Sequence, residues 1–129
     1  MNKELDEKLV RDFPKIFAQR NLPMTETCMY WGFECGNGWE WLIRQLCNCI
    51  QRYIDNNKKE QIEAVQVKEK LGTLRFYVNG CDDIVFGMIW LAEAMSAKIC
   101  ENCGSTVNVK STTGWIRYLC LKCMEDNKS

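Results

Sequence analysis

Two Cys-x-x-Cys pairs, Cys100-Glu101-Asn102-Cys103 and Cys120-Leu121-Lys122-Cys123, stand sixteen residues apart near the carboxyl end of the chain. No other feature restricts the possible folds as strongly. Two thiolates separated by two residues reach one tetrahedral ion, and a second pair across a connection of about 15–20 residues supplies the other two ligands. The connection has the pattern of a hairpin. Thr106-Val107-Asn108-Val109-Lys110 alternates, Ser111-Thr112-Thr113-Gly114 is a turn sequence, and Trp115-Ile116-Arg117-Tyr118-Leu119 alternates back into the second pair. Gly104, directly after Cys103, suits the tight backbone of a metal knuckle. The spacing therefore predicts a zinc ribbon with one structural zinc on Cys100, Cys103, Cys120 and Cys123. The alternative is four buried or disulfide-paired cysteines that fall at this spacing.

A chain of 129 residues with 47% hydrophobic residues buries one modest core. We expect an α+β core over residues 1–99, a ribbon over 100–125 continuous with the last core helix, and a loose tail over 126–129. Seventeen basic residues balance seventeen acidic ones, which argues against a general polyanion binder held by phosphate neutralisation. The charged opening Met1-Asn2-Lys3-Glu4-Leu5-Asp6 does not have the pattern of an export signal, and the longest apolar run, Ile84 to Met95, is too short to span a bilayer. Nine cysteines, an odd number, fit a reducing cytosol better than a disulfide framework. Most of Cys28, Cys35, Cys47, Cys49 and Cys81 are then small buried hydrophobes, or the first four of these form a second metal site.

Leu5, Leu9, Phe13, Ile16 and Phe17 recur at helical spacing, and Pro14 ends that helix near Asp12. From Asn21 to Gly38 an aromatic, glycine-punctuated string predicts an ordered loop. Trp31 and Phe33 in it, with Trp39 directly after it, either seal the edge of the core or form a contact surface, and Gly36-Asn37-Gly38 could present amides to an anion. Residues 39–55 predict a helix with Leu42, Leu46, Cys49, Ile50 and Tyr53 on one face. Two strands follow, Ile62 to Lys70 and Thr73 to Asn79, joined at Leu71-Gly72. Their apolar sides face the helices, while Gln66, Lys68, Lys70, Arg75 and Tyr77 share the other side as a solvated face or a site for phosphate or carboxylate. Asp82 or Asp83 caps a third helix that is apolar nearly all round and is therefore expected to be largely buried. The predicted architecture is helices packed on a two-stranded or slightly larger antiparallel sheet, with the ribbon docked on that core.

The chain contains no histidine. Histidine-dependent hydrolysis, imidazole-assisted cysteine chemistry and histidine-ligated zinc deamination thereby lose their central residue. A four-thiolate zinc also leaves no position for an activated water. The composition points to a protein that is not an enzyme.

The strings Gly32-Phe33-Glu34-Cys35-Gly36-Asn37-Gly38-Trp39 and Lys68-Glu69-Lys70-Leu71-Gly72-Thr73-Leu74-Arg75-Phe76-Tyr77, together with the terminal knuckles and Gly114-Trp115-Ile116-Arg117, resemble a family of small proteins found on phage and prophage genomes. Relatives often end in a second knuckle of Cys-x-x-His or Cys-x-Glu-His type, where this chain has Cys120 and Cys123. The resemblance implies a phage-type accessory protein in the host cytosol. Three functions compete. The first is capture of a host protein or defence component through the aromatic loop and the ribbon. The second is a nucleotide-signal sponge using Lys68, Lys70 and Arg75 with Tyr77 or Trp39 stacked on a base. The third is nucleic-acid binding through Lys110, Arg117 and Lys122, with Trp115 or Tyr118 stacking. No membrane partner is expected.

Overall fold

The computed structural model describes residues 1–126. The first helix, α1, spans Lys3–Asp12 and begins at Asn2, whose side-chain oxygen accepts from the Leu5 N–H. It stops at Phe13, before Pro14, and the chain turns so that Leu9, Ile16 and Phe17 all enter the core. Two 3₁₀ turns, Ala18–Asn21 and Cys28–Trp31, carry the chain to β1, Phe33–Glu34. A third, Asn37–Trp39, leads directly into α2, Glu40–Asn57.

Strands β2 (Ala64–Lys70) and β3 (Thr73–Val78) form an antiparallel hairpin whose two-residue turn puts both Leu71 and Gly72 at positive φ. That backbone matches the right-handed twist of the flanking strands. The short β1 joins β2 in parallel, with Phe33 opposite Val67 and Glu34 opposite Lys68. The sheet is thus three-stranded and mixed, in the order β1-β2-β3. Lys68 lies opposite Arg75, and Gln66 opposite Tyr77, on the side away from the core, as the alternation in the sequence requires.

Helix α3, Asp83–Ser96, is capped by Asp82, which accepts from the Val85 N–H. It runs along the outer edge of β3. There Ser96 Oγ accepts from the Leu74 N–H and Glu93 accepts from the Phe76 N–H, so strand donors with no neighbouring strand are paired by the helix. Glu93, the one carboxylate within the apolar run, is explained by that role. The expectation that α3 is largely buried is wrong. Val85, Ile89, Ala92 and Ser96 face inward, whereas Phe86 (60% exposed), Trp90 (69%) and Leu91 (62%) face outward. With one sheet and one neighbouring helix to lie against, α3 has only one side to cover.

On α2 the inward face is Leu42, Ile43, Leu46, Cys47, Ile50 and Ile54. The predicted face was rotated slightly: Cys49 is exposed and Tyr53 only half-buried. Beyond α3 the hairpin is shorter than the alternating pattern predicted. Its ladder is β4 (Lys110–Ser111) paired with β5 (Tyr118–Leu119), residues 106–109 lie outside it, and the second cysteine pair passes into α4, Leu121–Asp126. Of the expected tail, Asp126 is the last residue of α4 and residues 127–129 lie outside the described residues. Among the described residues no helix is long and apolar enough to cross a membrane.

Candidate metal centre

Cys100 follows the turn that ends α3, Cys103 lies on the next turn, and Cys120 and Cys123 come from the end of β5 and from α4. The four sulfurs lie within 4.8 Å of one another. Cys103 and Cys120 are 3.7 Å apart, close to the edge of about 3.8 Å that a tetrahedron with roughly 2.3 Å metal–sulfur bonds would have, and far from disulfide length. The residues present therefore fit a tetrahedral ion bound by four thiolates. Among the described residues this is the one grouping of three or more potential ligand residues that converges so closely. Cys35 and Cys47 are buried in the core, while Cys28, Cys49 and Cys81 are exposed, so the second metal site drawn from Cys28, Cys35, Cys47 and Cys49 is not formed.

Hydrogen bonds prepare the sulfurs for negative charge. Burial opposes ionisation of Cys100, but backbone N–H groups of Cys120, Cys103 and Asn102 outweigh it and bring the thiol down to about 7. The Asn102 amide donates to Cys123 Sγ at 3.3 Å and the Cys123 N–H to Cys120 Sγ at 3.5 Å. Even so, Cys123 is pushed up to about 12: the Asn102 bond favours its thiolate, but burial and the three neighbouring sulfurs disfavour it. Cys103 is raised as well, the Ser105 N–H acting against burial and against Cys120 and Cys100.

The first knuckle is seated on the core by the Gly36-Asn37-Gly38 segment. The Gly38 N–H donates to the Glu101 carbonyl at 2.7 Å, and the Gly36 N–H donates to the Glu101 carboxylate at 2.9 Å. A Cβ at Gly38 would overlap the Cys100 carbonyl oxygen and come within 2.6 Å of the Gly104 nitrogen, and one at Gly36 would overlap the Glu101 carbonyl. Backbone lies against backbone here, which is why both positions are glycine. Gly104, at φ +84°, completes the contact with the Gly38 carbonyl. The anion-site reading of this segment gives way to its use as a seat for the knuckle.

Glu101 is the residue that sequence reasoning missed. It is buried, its carboxylate is 3.5 Å from Arg117 Nε, and its N–H donates to the Tyr118 carbonyl, so it ties the seat, the knuckle and β5 together. The only hint was an acid placed between two ligand cysteines. Trp39 is also committed inside. It is fully buried and its indole N–H donates to the Ile99 carbonyl at 3.0 Å, which fixes the entry to the first knuckle.

The other candidate residues fall into four groups. Phe33 and Trp39 are buried, Phe33 packing edge-on against Phe17 at 4.9 Å, and neither offers a contact surface. Trp31 is exposed beside Tyr30 on an edge held by Arg20, which bonds both the Tyr30 carbonyl and the buried Asp6. Lys68 and Lys70 meet the tip of the cysteine hairpin. With Leu71, Trp115 and Ile116 they line a groove of about 370 Å³, in which Trp115 is 82% exposed. Arg75 shares the strand face but bonds Thr73 Oγ1 and the Leu74 carbonyl, Tyr77 lies farther along it, and Arg117 is engaged by Glu101. Comparisons with protein-family models, curated proteins and solved structures give no significant match to this chain.

Proposed function

We propose that this chain is a non-catalytic, zinc-binding accessory protein of phage type that acts in the host cytosol by occupying, and so inhibiting or sequestering, a host protein, a defence component being the favoured class. The observation that supports the metal-binding part of this reading is the convergence of four thiols, with no other potential ligand grouped with them among the described residues, on a knuckle seated against the core. A tetrahedral all-sulfur set is chemistry for zinc or for iron–sulfur. Zinc is favoured because a lone four-thiolate site is the usual structural centre of a ribbon. When bound, the ion supplies structure: it neutralises the thiolates and closes the hairpin, leaving Trp115 and Trp31 as exposed anchors of the kind that dominate protein interfaces.

The test has two arms. Elemental analysis of protein prepared without chelator should give about one zinc per chain. A bait carrying the full chain should retain a host protein that Trp31→Ala or Trp115→Ala releases while leaving the melting temperature unchanged. Protein that carries no zinc, or capture indifferent to both substitutions, overturns the reading.

The groove formed by Lys68, Lys70 and Trp115 favours a second reading, an anionic ligand with an aromatic ring such as a nucleotide. Two ammonium groups would meet its phosphates, and the exposed indole its base. Nucleotide released on denaturing the purified protein, and lost in Lys70→Ala, would support it. Binding of longer single strands through the same groove with Lys110 and Lys122 would instead show affinity falling steeply with salt.

A further inference from the structure

The outward side of α3 and the adjoining part of α2 expose Trp41, Ile84, Phe86, Trp90, Leu91 and Met95. Between the helices, Leu42, Leu46, Cys49 and Met88 floor a groove of about 150 Å³ that is almost wholly apolar. Taken at the usual size of such side chains, this face offers about 600 Å² of apolar surface, more than isolated surface hydrophobics account for. We propose that it is a self-complementary interface on which a second copy of this chain packs, α3 against α3, antiparallel about a two-fold axis.

Three observations favour a second copy over another occupant. First, two such faces would bury about 1,200 Å², the lower end of the range for specific interfaces before any polar rim is counted.

Second, the charges are arranged for self-pairing. Gly87 and Ala94, seven residues apart, lie on the outermost line of the helix, and Asp83 and Lys98 stand four residues beyond each of them. The Lys98 turn is closed by its N–H on the Met95 carbonyl, so it continues the helical path. This series is symmetric about the Trp90–Leu91 link. An antiparallel pair centred there sets Asp83 of each copy beside Lys98 of the other, whereas a parallel pair would set Asp83 against Asp83. Neither Asp83 nor Lys98 has an ion-pair partner among the described residues, and the one charge between them on the helix, Glu93, is half-buried and already accepts from the Phe76 N–H.

Third, nothing among the described residues calls for a glycine at position 87. A glycine in mid-helix weakens it, yet a Cβ there would meet nothing within 4 Å. A neighbouring helix passing close to that point supplies the reason for a missing side chain.

Sedimentation of the full chain across a dilution series up to about 100 μM, an affinity range typical of modest interfaces, tests this. The expected species is the dimer. Gly87→Glu should leave the far-UV spectrum and melting of the subunit intact, because the position is open, and weaken dimerisation by more than about 100-fold. Asp83→Lys should weaken it by about tenfold at low salt, and adding Lys98→Asp should restore it. A wild-type chain that stays monomeric throughout, a Gly87→Glu chain that remains dimeric, or a double exchange that fails to recover association overturns the proposal.

Discussion

Replacing Gly38 by alanine adds one methyl group at the point where the core and the first metal knuckle meet. That methyl would overlap the Cys100 carbonyl oxygen and crowd the Glu101 carbonyl carbon at 2.7 Å, so no rotamer change can relieve the clash. Overpacking of this kind costs about 1–3 kcal/mol when the backbone can adjust. If the seat separates instead, the bond from Gly38 N–H to the Glu101 carbonyl is lost, as is the one from Gly36 N–H to the Glu101 carboxylate. A neutral bond contributes about 0.5–1.5 kcal/mol and one to a charged group about 1.5–3. The first route thus costs about 1–3 kcal/mol and the second about 2–4.5 kcal/mol, so a loss of about 2–3 kcal/mol, or roughly 6–15 °C in melting temperature for a domain of this size, is expected. Gly114→Ala is the control. Unlike Gly38 it has a positive φ, +75°, but open space around it, so only the backbone strain of about 1–2 kcal/mol is expected there and no clash. Calorimetry of both variants with zinc present measures the difference. Repeating it after chelation should shrink the Gly38 effect, because an unfolded knuckle no longer presses on the seat. Equal melting temperatures for the two variants, or a Gly38 effect indifferent to chelation, would refute the seating argument.

Cys103→Ser should reduce bound zinc from about one per chain to nearly none and expose the hairpin to protease while α1–α3 stay folded, because metal binding and folding of such a hairpin are coupled; limited proteolysis with elemental analysis reads this. Asp6→Asn removes the charge that binds Arg20 at 3.1 Å and weakens its bond to the Phe33 N–H, and should lower stability by about 1.5–3 kcal/mol in urea unfolding. Stability should also decline in alkali. Burial, only partly offset by the amino-terminal charge, pushes the Cys35 thiol up to about 12 from 9.0, and burial likewise raises Cys47. The folded chain keeps protons that the unfolded chain releases, so the contribution is complete below about pH 9 and is lost as pH climbs towards the folded values. Urea midpoints from pH 8 upwards should fall, less steeply in a Cys35→Ala/Cys47→Ala chain, and parallel profiles for the two proteins would contradict the assignment.

Local patterns carried much of this fold. Pro14, Asp82 and the Leu71-Gly72 turn each set an element boundary through the conformation of a few neighbouring residues, and the structure places those boundaries within a residue or two of where the pattern puts them. The alternation in β2 and β3 likewise fixed which side carries Lys68 and Arg75. The β1 pairing was not legible, because two residues have no period and a parallel partner more than thirty positions away leaves no local trace. The outward face of α3 was misread for a related reason: an all-apolar helix states that its surface avoids water, not which molecule provides the cover.

The sequence by itself singled out the four cysteines that could hold a metal ion, since a Cys-x-x-Cys step brings its two sulfurs together through local backbone geometry alone. What it could not determine was where that set would sit. Gly36, Gly38, Trp39 and Glu101 became a seat for the knuckle only when the fold brought segments some sixty residues apart into contact. Tertiary structure also decided which aromatic residues reach the surface, burying Phe33 and Trp39 and exposing Trp31, Trp90 and Trp115. The physical reason is that burial depends on how many neighbours a finite core can supply, and in a chain this small the core runs out before the aromatic residues do.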